Sequence, residues 1–347
     1  MASTGAASPG RRPSGIWIGR WKRSISAIWR WIAGARILYE TLLTGAVAAG
    51  RTIQAVETAG KSGKMRIQGQ VFVDATGDGD LAFLAGAPWE KGREGDGRMQ
   101  SVTLVFRLGG VTLKGRCLCD RQQMQAANRL FAELHREGKT KALHRVGCIG
   151  VVPGMNGVVA VNTQHTHDID GTDTAAVTRA FIAGRREIAE AVELFRKHLK
   201  GFENAFLLDT ALMLGVRETR RIRGRYALTA EDILRARDFE DGIGRNAYDL
   251  DLHLDETVEE RFLKPGTSYA IPYRCLLPEG LDNLLVAGRC LSATHQAQSS
   301  IRIMPCCMVT GEAAGIAAAL SVRGGLQPAA LDIALLRQAI RAAGGIV

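Results

Sequence analysis

The stretch 283–320 constrains the fold of this chain most, because three local patterns follow one another there. Residues 284–287 form a short apolar run, typical of a strand buried on both faces. An irregular polar segment is predicted from residue 288 to residue 300. From Met308 onward a helix is predicted that has almost no side-chain bulk, so its backbone can lie close to a ligand. Its first turn would offer unpaired N–H groups. This order predicts a cofactor-binding strand, loop and helix.

Charge and composition exclude two classes of function. The net charge of the 347 residues is +10, but residues 1–36 hold seven basic residues and no acid, which leaves 10 − 7 = +3 for the rest. A nearly balanced body argues against nucleic acid as a partner. No apolar run approaches the roughly 18 residues that span a membrane, so no integral membrane segment is predicted.

The seven cysteines lack the spacing of iron–sulfur or metal ligands, so no metal site is predicted. Reduced thiols indicate a cytoplasmic protein. The adjacent Cys306 and Cys307 are interpreted as small packing residues, with a redox role as the less favoured alternative.

Residues 1–34 differ in character from the rest of the chain. The first fifteen are of low complexity and predict disorder. Tryptophans and isoleucines then recur at helical spacing between basic residues, which is typical of an amphipathic helix for a membrane surface or a partner. A secretory signal is a weaker alternative, since Arg30 interrupts its apolar core. We favour the interpretation that the segment has no evolved role.

Residues 35–97 predict strands, a hairpin turn at 61–64, and a strand that ends at Asp74. The following GDGDLA matches the pattern Gly-x-Gly-x-x-Gly/Ala of dinucleotide-binding loops. However, the helix that begins at Asp80 is stopped by Gly86, and a βαβ crossover needs a dozen or more residues. The first βαβ unit is therefore predicted to be missing.

The segment 98–269 predicts a second unit, with a strand at 101–111 and two more within 148–165. Helices are predicted at 120–137 and 172–199, the latter capped by Thr172 or Asp173. A strand is then predicted within 213–234, whose odd-numbered arginines would share one face: Arg217, Arg221, Arg223 and Arg225.

Two interpretations of this arginine strand remain open. In one, nearby acids compensate the charge: Glu218, Glu231 and Asp232. In the other, Arg217 together with Arg220 or Arg221 binds an anionic ligand through bidentate hydrogen bonds.

Three stretches together resemble the FAD-dependent oxidoreductases related to the heterodisulfide reductase A subunit: VAGRCLSATH with SIRIMPCCMVTGEAAGIAAAL, GDGDLAFLAGAPWEKGRE, and MLGVRETRRIRGRYALTAEDIL. The resemblance implies an α/β (α+β) fold with an N-terminally incomplete, Rossmann-like FAD/NAD(P)-binding domain of residues 35–97 and 270–347. A mixed α+β substrate domain, 98–269, would be inserted into it. FAD would be the cofactor and a small, anionic molecule the substrate.

The resemblance also implies site residues. The cofactor-binding residues would be Thr76, Gly77, Asp78, Gly79, Gly288, Arg289, Arg302, Met304 and Gly311. His295, predicted to lie in a loop, is the candidate general acid–base, with a structural role as the alternative. The candidates for substrate binding are Arg217 and Arg221.

Two other functions remain open, and the missing βαβ unit bears on the first of them. The chain could be a truncated, catalytically silent member of the family, or a surface-binding protein that uses its Trp/Arg-rich N-terminus. Without that unit, FAD binding by the isolated chain is expected to be weak. A homo-oligomer or a partner chain that supplies the missing piece is then expected.

Overall fold

The computed structural model describes residues 34–112, 121–140, 147–254 and 257–347. Apart from Gly34, the N-terminal segment 1–34 lies outside the described residues, and with it the predictions of disorder and of an amphipathic helix.

Fifteen strands and seven α-helices occur in the described residues. The strands are β1 (Leu42–Ala49), β2 (Thr52–Gly60), β3 (Gly63–Gln68), β4 (Phe72–Asp74), β5 (Trp89–Lys91), β6 (Phe106–Gly109), β7 (Cys148–Val151), β8 (Val159–Asn162), β9 (Phe206–Thr210), β10 (Arg220–Ile222), β11 (Gly242–Asn246), β12 (Leu250–Leu254), β13 (Thr257–Arg261), β14 (Tyr269–Pro272) and β15 (Leu284–Val286). The helices are α1 (Asp80–Leu84), α2 (Arg121–Arg136), α3 (Thr174–His198), α4 (Ala230–Leu234), α5 (His295–Ile301), α6 (Met304–Gly324) and α7 (Ile333–Ala342).

The two stretches that bracket the insert meet in one sheet. β4 and β15 pair in parallel, with Leu284 opposite Phe72 and Val286 opposite Asp74. All three residues of β15 are buried, as an apolar run between two layers should be. One strand of the 35–97 stretch and one of the 270–347 stretch therefore lie in the same sheet, and the predicted domain bounds stay a prediction. Within the described residues β4 pairs with no other strand, and the missing βαβ unit stays a prediction.

The remaining sheets are antiparallel. β1, β2 and β3 form a meander, with Gly60 opposite Gly63 across the predicted hairpin turn. The insert holds a sheet in the order β7-β8-β6-β9. In the chain, α2 precedes β7 and α3 follows β8. The side chain of Asp173 caps α3 by accepting from the backbone N–H of Ala175 at 2.9 Å. Both helices and the strands at 148–165 are as predicted.

Side-chain packing divides the chain differently from the predicted boundary at residue 269. One core belongs to the insert and runs from Val102 to Leu214. Residues from Leu228 to Tyr269 instead share a core with α5, α6 and α7. A third core lies under the meander and includes Ile53, the β15 strand and Ile222. Packing therefore groups residues 228–269 with the C-terminal part rather than with the insert.

Two predictions about the C-terminal stretch are wrong. The segment predicted as irregular up to Ser300 contains α5, and the helix predicted from Met308 begins at Met304. α5 was missed because it is polar and yet buried: Gln298, Ser299 and Ser300 are 0% exposed. Its serines bond to distant backbone, since Asp251 N donates to Ser299 Oγ at 3.1 Å and Ser300 Oγ donates to Tyr248 O at 2.6 Å.

Small residues let α6 pack closely, as its composition predicts. Ala313, Ala314 and Ala317 are fully buried, and α6 lies against β4, β11 and β15. A Cβ at Gly244 of β11 would lie 2.2 Å from a methyl of Val309, so a side chain would not fit there. Among the described residues, α6 is long and apolar enough to cross a membrane by length and composition alone. A helix in the core of a globular protein meets the same criteria.

Asn283 joins the meander to the parallel pair. It is 1% exposed. Its Oδ1 accepts from Ile53 N at 2.9 Å, and its Nδ2 donates to Ile53 O at 2.8 Å and to Gln70 O at 3.0 Å. One amide thus satisfies three backbone groups of two other segments, and fixes where β15 lies against β2.

We expect Asn283→Ala to lower the free energy of unfolding by about 2–4 kcal/mol, because buried backbone groups would lose their partners. Urea unfolding measures this change. The matched control is the neighbouring Asp282→Ala, which breaks an ion pair with Arg51 whose side chain is 58% exposed and should change stability by less than about 1 kcal/mol. Equal effects of the two substitutions would contradict the role assigned to Asn283.

Candidate active site

The carboxyl ends of β4 and β15 lie side by side, and both run into turns that carry predicted site residues. Asp74 closes β4 and is 1% exposed. Its carboxylate accepts from Thr76 N at 3.0 Å, from Thr76 Oγ1 at 2.7 Å and from Ala82 N at 2.9 Å. The strand, the turn and the start of α1 are therefore held by one side chain.

Arg289, from the turn after β15, lies over the turn after β4. Its Nη2 donates to Asp78 Oδ1 at 2.8 Å. A Cβ at Gly77 would lie 2.3 Å from Arg289 Nη1, and Gly77 has a φ of +84°. A Cβ at Gly79 (φ +65°) would lie 2.6 Å from Ile222. Both positions need glycine for conformation and for space. The structure brings five of the predicted cofactor-binding residues together: Thr76, Gly77, Asp78, Gly79 and Arg289.

The first half of α6 contacts the turn after β15. Gly288 N donates to Thr310 Oγ1 at 3.1 Å, which fixes the turn to the helix. Met304, the first residue of α6, is 62% exposed. Gly311 is the eighth residue of the helix, so its N–H is not one of the free groups of the first turn, contrary to the prediction. A Cβ at Gly311 would meet nothing within 4 Å.

Glu218 is the centre of the second part of the site and is fully buried. Its carboxylate accepts from Arg221 Nη1, from Gln100 N at 3.2 Å, and contacts His295 Nδ1 at 2.9 Å. His295 is 7% exposed and is the first residue of α5, rather than part of a loop as predicted. The pairing orients the imidazole and directs Nε2 away from the carboxylate.

The predicted arginine strand is wrong in its extent and in its shared face. β10 holds only three residues, and Arg217 precedes it. Arg217 and Arg221 are buried, whereas the side chain of Arg223 is 54% exposed. Each nitrogen of Arg221 has a partner: Nε donates to Ala293 O at 3.0 Å, Nη2 to Gly92 O at 3.0 Å, and Nη1 to Glu218. These bonds give Arg221 a structural position.

Arg217 has a different environment. Its Nη1 donates to Ser101 O at 2.6 Å and to Thr103 Oγ1 at 2.7 Å, and its Nη2 lies 3.4 Å from His165 Nδ1. Burial and the charge of Arg302 lower the pKa of Arg217 to about 9. Because a guanidinium keeps its proton in proteins, this environment holds a buried cation among neutral acceptors.

Arg302 follows α5 and binds the hairpin β12–β13. Its Nη2 donates to Asp251 O at 3.0 Å and to Asp251 Oδ2 at 3.3 Å. His253 Nε2 lies 3.1 Å from Asp251 Oδ1. The His165 and His253 rings lie 5.3 Å apart, between centroids. Burial lowers the pKa of His253, although its hydrogen bond with Asp251 opposes this. A neutral His253 therefore lies close to Arg217 and Arg302.

Gln298 connects these groups. Its Nε2 donates to Arg217 O at 2.7 Å and to Arg289 O at 3.3 Å, and its Oε1 accepts from Gln100 Nε2 at 2.7 Å. His295, Gln298 and Arg302 lie at i, i+3 and i+7, on one face of α5. That face meets the turn after β15 on one side and the insert on the other.

Three of these groups were not identified as site residues from the sequence: Glu218, the pair of Asp251 and His253, and the polar face of α5. Glu218 was considered only as a counter-charge. Asp251 and His253 alternate with buried leucines in LDLH, a period of two that predicts a shared strand face. The polar face of α5 gave no signal in the sequence, because the partners of its side chains are distant in the chain; only the buried Ala293, Ala297 and Ile301 recur at helical spacing.

Comparisons with known proteins agree with the resemblance at the level of the family. A family profile described as "FAD dependent oxidoreductase" matches residues 24–340 and so begins inside the segment 1–34. Of the solved structures, a geranylgeranyl bacteriochlorophyll reductase-like protein from Thermoplasma acidophilum is 9% identical, with a TM-score of 0.41 over 86% of this chain. This chain spans 53% of that protein, and a similarity this low carries no argument about chemistry. No curated protein matches significantly.

We expect the Asp251 carboxylate to stabilise the fold above about pH 4 and to lose this effect as the pH falls toward 2. Although burial raises the pKa of Asp251, its contacts with His253 and Arg302 lower it from 3.8 to about 2. The unfolded chain therefore binds this proton first, and stability falls with acid. Asp251→Asn should lower the free energy of unfolding by about 1.5–3 kcal/mol near neutral pH, and by less toward pH 2.

Urea unfolding at several pH values measures the difference between the two proteins. The control is Asp168→Asn, since the side chain of Asp168 is 65% exposed and pairs with Arg98 on the surface; its effect should stay below about 1 kcal/mol. A difference for Asp251→Asn that grows with acid would contradict the assignment.

Proposed function

The chain belongs to the FAD dependent oxidoreductase family, and from this premise we propose that it is a flavin-dependent oxidoreductase acting on a small anionic molecule. We also propose that the chain is related to the heterodisulfide reductase A subunit within this family, which is supported by the sequence motifs alone. We also propose that it works in the cytoplasm.

The observation that carries the proposal is a group of buried polar atoms around Gln298 that have no hydrogen-bond partner. They are Gln100 Oε1, Arg289 Nε, His295 Nε2 and Arg302 Nε. Buried polar groups nearly always have partners in native proteins, so such a group needs an explanation. Two guanidinium donors, one imidazole nitrogen and one amide oxygen match the polar edge of an isoalloxazine ring, which presents several acceptors and one N–H.

The residues present therefore fit the ring end of FAD. Arg289 and Arg302 would hold the ring edge, with the turns at Thr76–Gly79 and at Gly288 beside it. When bound, FAD supplies the electron-accepting ring of the redox chemistry. The described residues offer less to its diphosphate: α1 is only five residues long, and the nearby cations Arg289 and Arg220 already pair with Asp78 and Asp80.

His295 is the proposed acid–base group. Glu218 bonds to Arg221 and to the backbone N–H of Gln100, so it acts as a carboxylate acceptor for the Nδ1–H of His295. In the neutral ring, Nε2 then carries the lone pair and can take a proton from a substrate. The anionic character of the substrate is supported by Arg217, whereas the contacts of Arg221 leave it a supporting role.

We expect purified protein to bind FAD with a dissociation constant above about 1 µM, and riboflavin with an affinity within about tenfold of it, because the diphosphate adds few contacts. Quenching of flavin fluorescence measures both. Stoichiometric submicromolar binding of FAD would contradict the weak-binding prediction. No binding of either flavin would contradict the proposed function and favour a catalytically silent protein.

Two glycines of α6 allow a test of where the flavin ring lies, with Gly315 as the control for Gly311. A Cβ at Gly311 or at Gly315 meets nothing within 4 Å, so Gly311→Ala and Gly315→Ala should each raise stability by about 0.5–1 kcal/mol. We expect only Gly311→Ala to lower flavin affinity, by about tenfold, since the added methyl would meet the ring. Equal affinities for the two variants would place the ring elsewhere.

We expect ¹⁵N NMR of histidine-labelled protein to show the neutral ring of His295 protonated at Nδ1 and unprotonated at Nε2. In Glu218→Gln this preference should fall, because the anionic acceptor is lost. Glu90→Gln is the control, since Glu90 is exposed and lies 3.8 Å from the same Arg221. An Nε2–H tautomer in the unmodified protein would exclude Nε2 as the proposed base.

A further inference from the structure

Arg217 and Arg302 are two buried cations close to one carboxylate, that of Asp251. Arg217 is 9% exposed and the side chain of Arg302 is 13% exposed. Arg302 bonds to Asp251, whereas the described residues give Arg217 only neutral acceptors. Arg302 Nε has no partner. Arg217 lies on the insert side and Arg302 on the α5 side, so the pair lies where the two cores meet.

The neighbouring charges do not balance this pair, because each already has its own partner. Glu218 is bound by Arg221, and Asp78 by Arg289. Glu260, opposite Asp251 in the hairpin, is exposed, so water screens its charge. Burial lowers the pKa of His253 and keeps this ring neutral. Two guanidiniums and the Asp251 carboxylate therefore leave one positive charge in a buried place.

A buried charge without compensation is strongly unfavourable, so a site of this kind is completed by a ligand of opposite charge. We propose that Arg217 and Arg302 together bind a carboxylate of the substrate, which makes the substrate a small carboxylic acid. This inference rests on the proposed function, and it identifies the substrate class of that site.

A carboxylate fits better than the other anions. It carries a single charge, as the site requires, whereas a phosphate monoester would bring about two near neutral pH. Its two oxygens suit a guanidinium fork, and Arg302 Nε is the one atom for which the carboxylate and the flavin ring edge would compete. The second source of one delocalised negative charge is the reduced flavin ring, and the experiment separates the two.

The experiment measures binding of acetate to the protein without added flavin, so that it does not depend on FAD. Melting temperature is followed against acetate concentration at constant ionic strength, with acetamide as an uncharged probe and inorganic phosphate, measured above pH 8 where it is mainly a dianion, as a probe of higher charge. The variants are Arg217→Gln and Arg302→Gln, with Arg217→Lys and Arg302→Lys to keep the charge. Arg223→Gln is the matched control, because Arg223 is exposed on the same segment.

We expect acetate to stabilise the protein more than acetamide or phosphate does. Affinity for acetate should fall about tenfold or more in Arg217→Gln and in Arg302→Gln, and stay unchanged in Arg223→Gln. Should the Gln variants fail to fold, the comparison of the three probes on the unmodified protein still decides. Stabilisation by acetamide or phosphate equal to that by acetate overturns the proposal.

The flavin alternative has its own readout. If Arg302→Gln shifts the midpoint potential of bound flavin while acetate affinity stays unchanged, the pair serves the ring and the carboxylate assignment is wrong. A failure to bind flavin, with acetate binding intact, would count against the proposed redox function and leave the carboxylate site standing.

Discussion

The buried carboxylate of Glu218 is the interaction on which the candidate site depends. It lies at 0% exposure and connects three segments that are far apart in sequence: the one with Gln100, the one with Arg221, and α5 through His295. A charge in such a place is stable only with several donors, so the three segments are held in one arrangement. The same bonds orient His295, which ties the stability of the fold to the geometry of the site.

Close approach of backbone is the second constraint. Gly77 lies under the guanidinium of Arg289, and Gly244 lies under Val309 of α6. The Arg289 contact joins the turn after β15 to the turn after β4, and the bond from Gly288 N to Thr310 Oγ1 joins the turn after β15 to α6. Glycine at Gly77 thus meets two needs at once, a positive φ and the absence of a side chain, and this is why the two strand ends can share a site.

Polar packing distinguishes this site from the apolar cores around it. α5 is buried although it reads HQAQSSI, because its serines and Gln298 are bonded to backbone groups of distant strands. A buried polar network of this kind is stable only when almost every member has a partner. The atoms without partners belong to His295 and Arg302 at the two ends of α5, to Arg289 and to Gln100; in our proposal a ligand completes the network there.

The sequence by itself determined the parts whose pattern is local. The hairpin at residues 61–64, the Asp173 cap of α3 and the buried run at residues 284–287 follow from turn chemistry, capping and hydrophobic period, and each is present. Tertiary structure decided the rest. The polar stretch before Ser300 forms a helix, and the arginines between residues 217 and 225 divide into buried and exposed ones, because their partners come from segments as much as 142 residues away. Local pattern cannot specify a residue whose energy depends on distant groups, and the candidate site consists mostly of such residues.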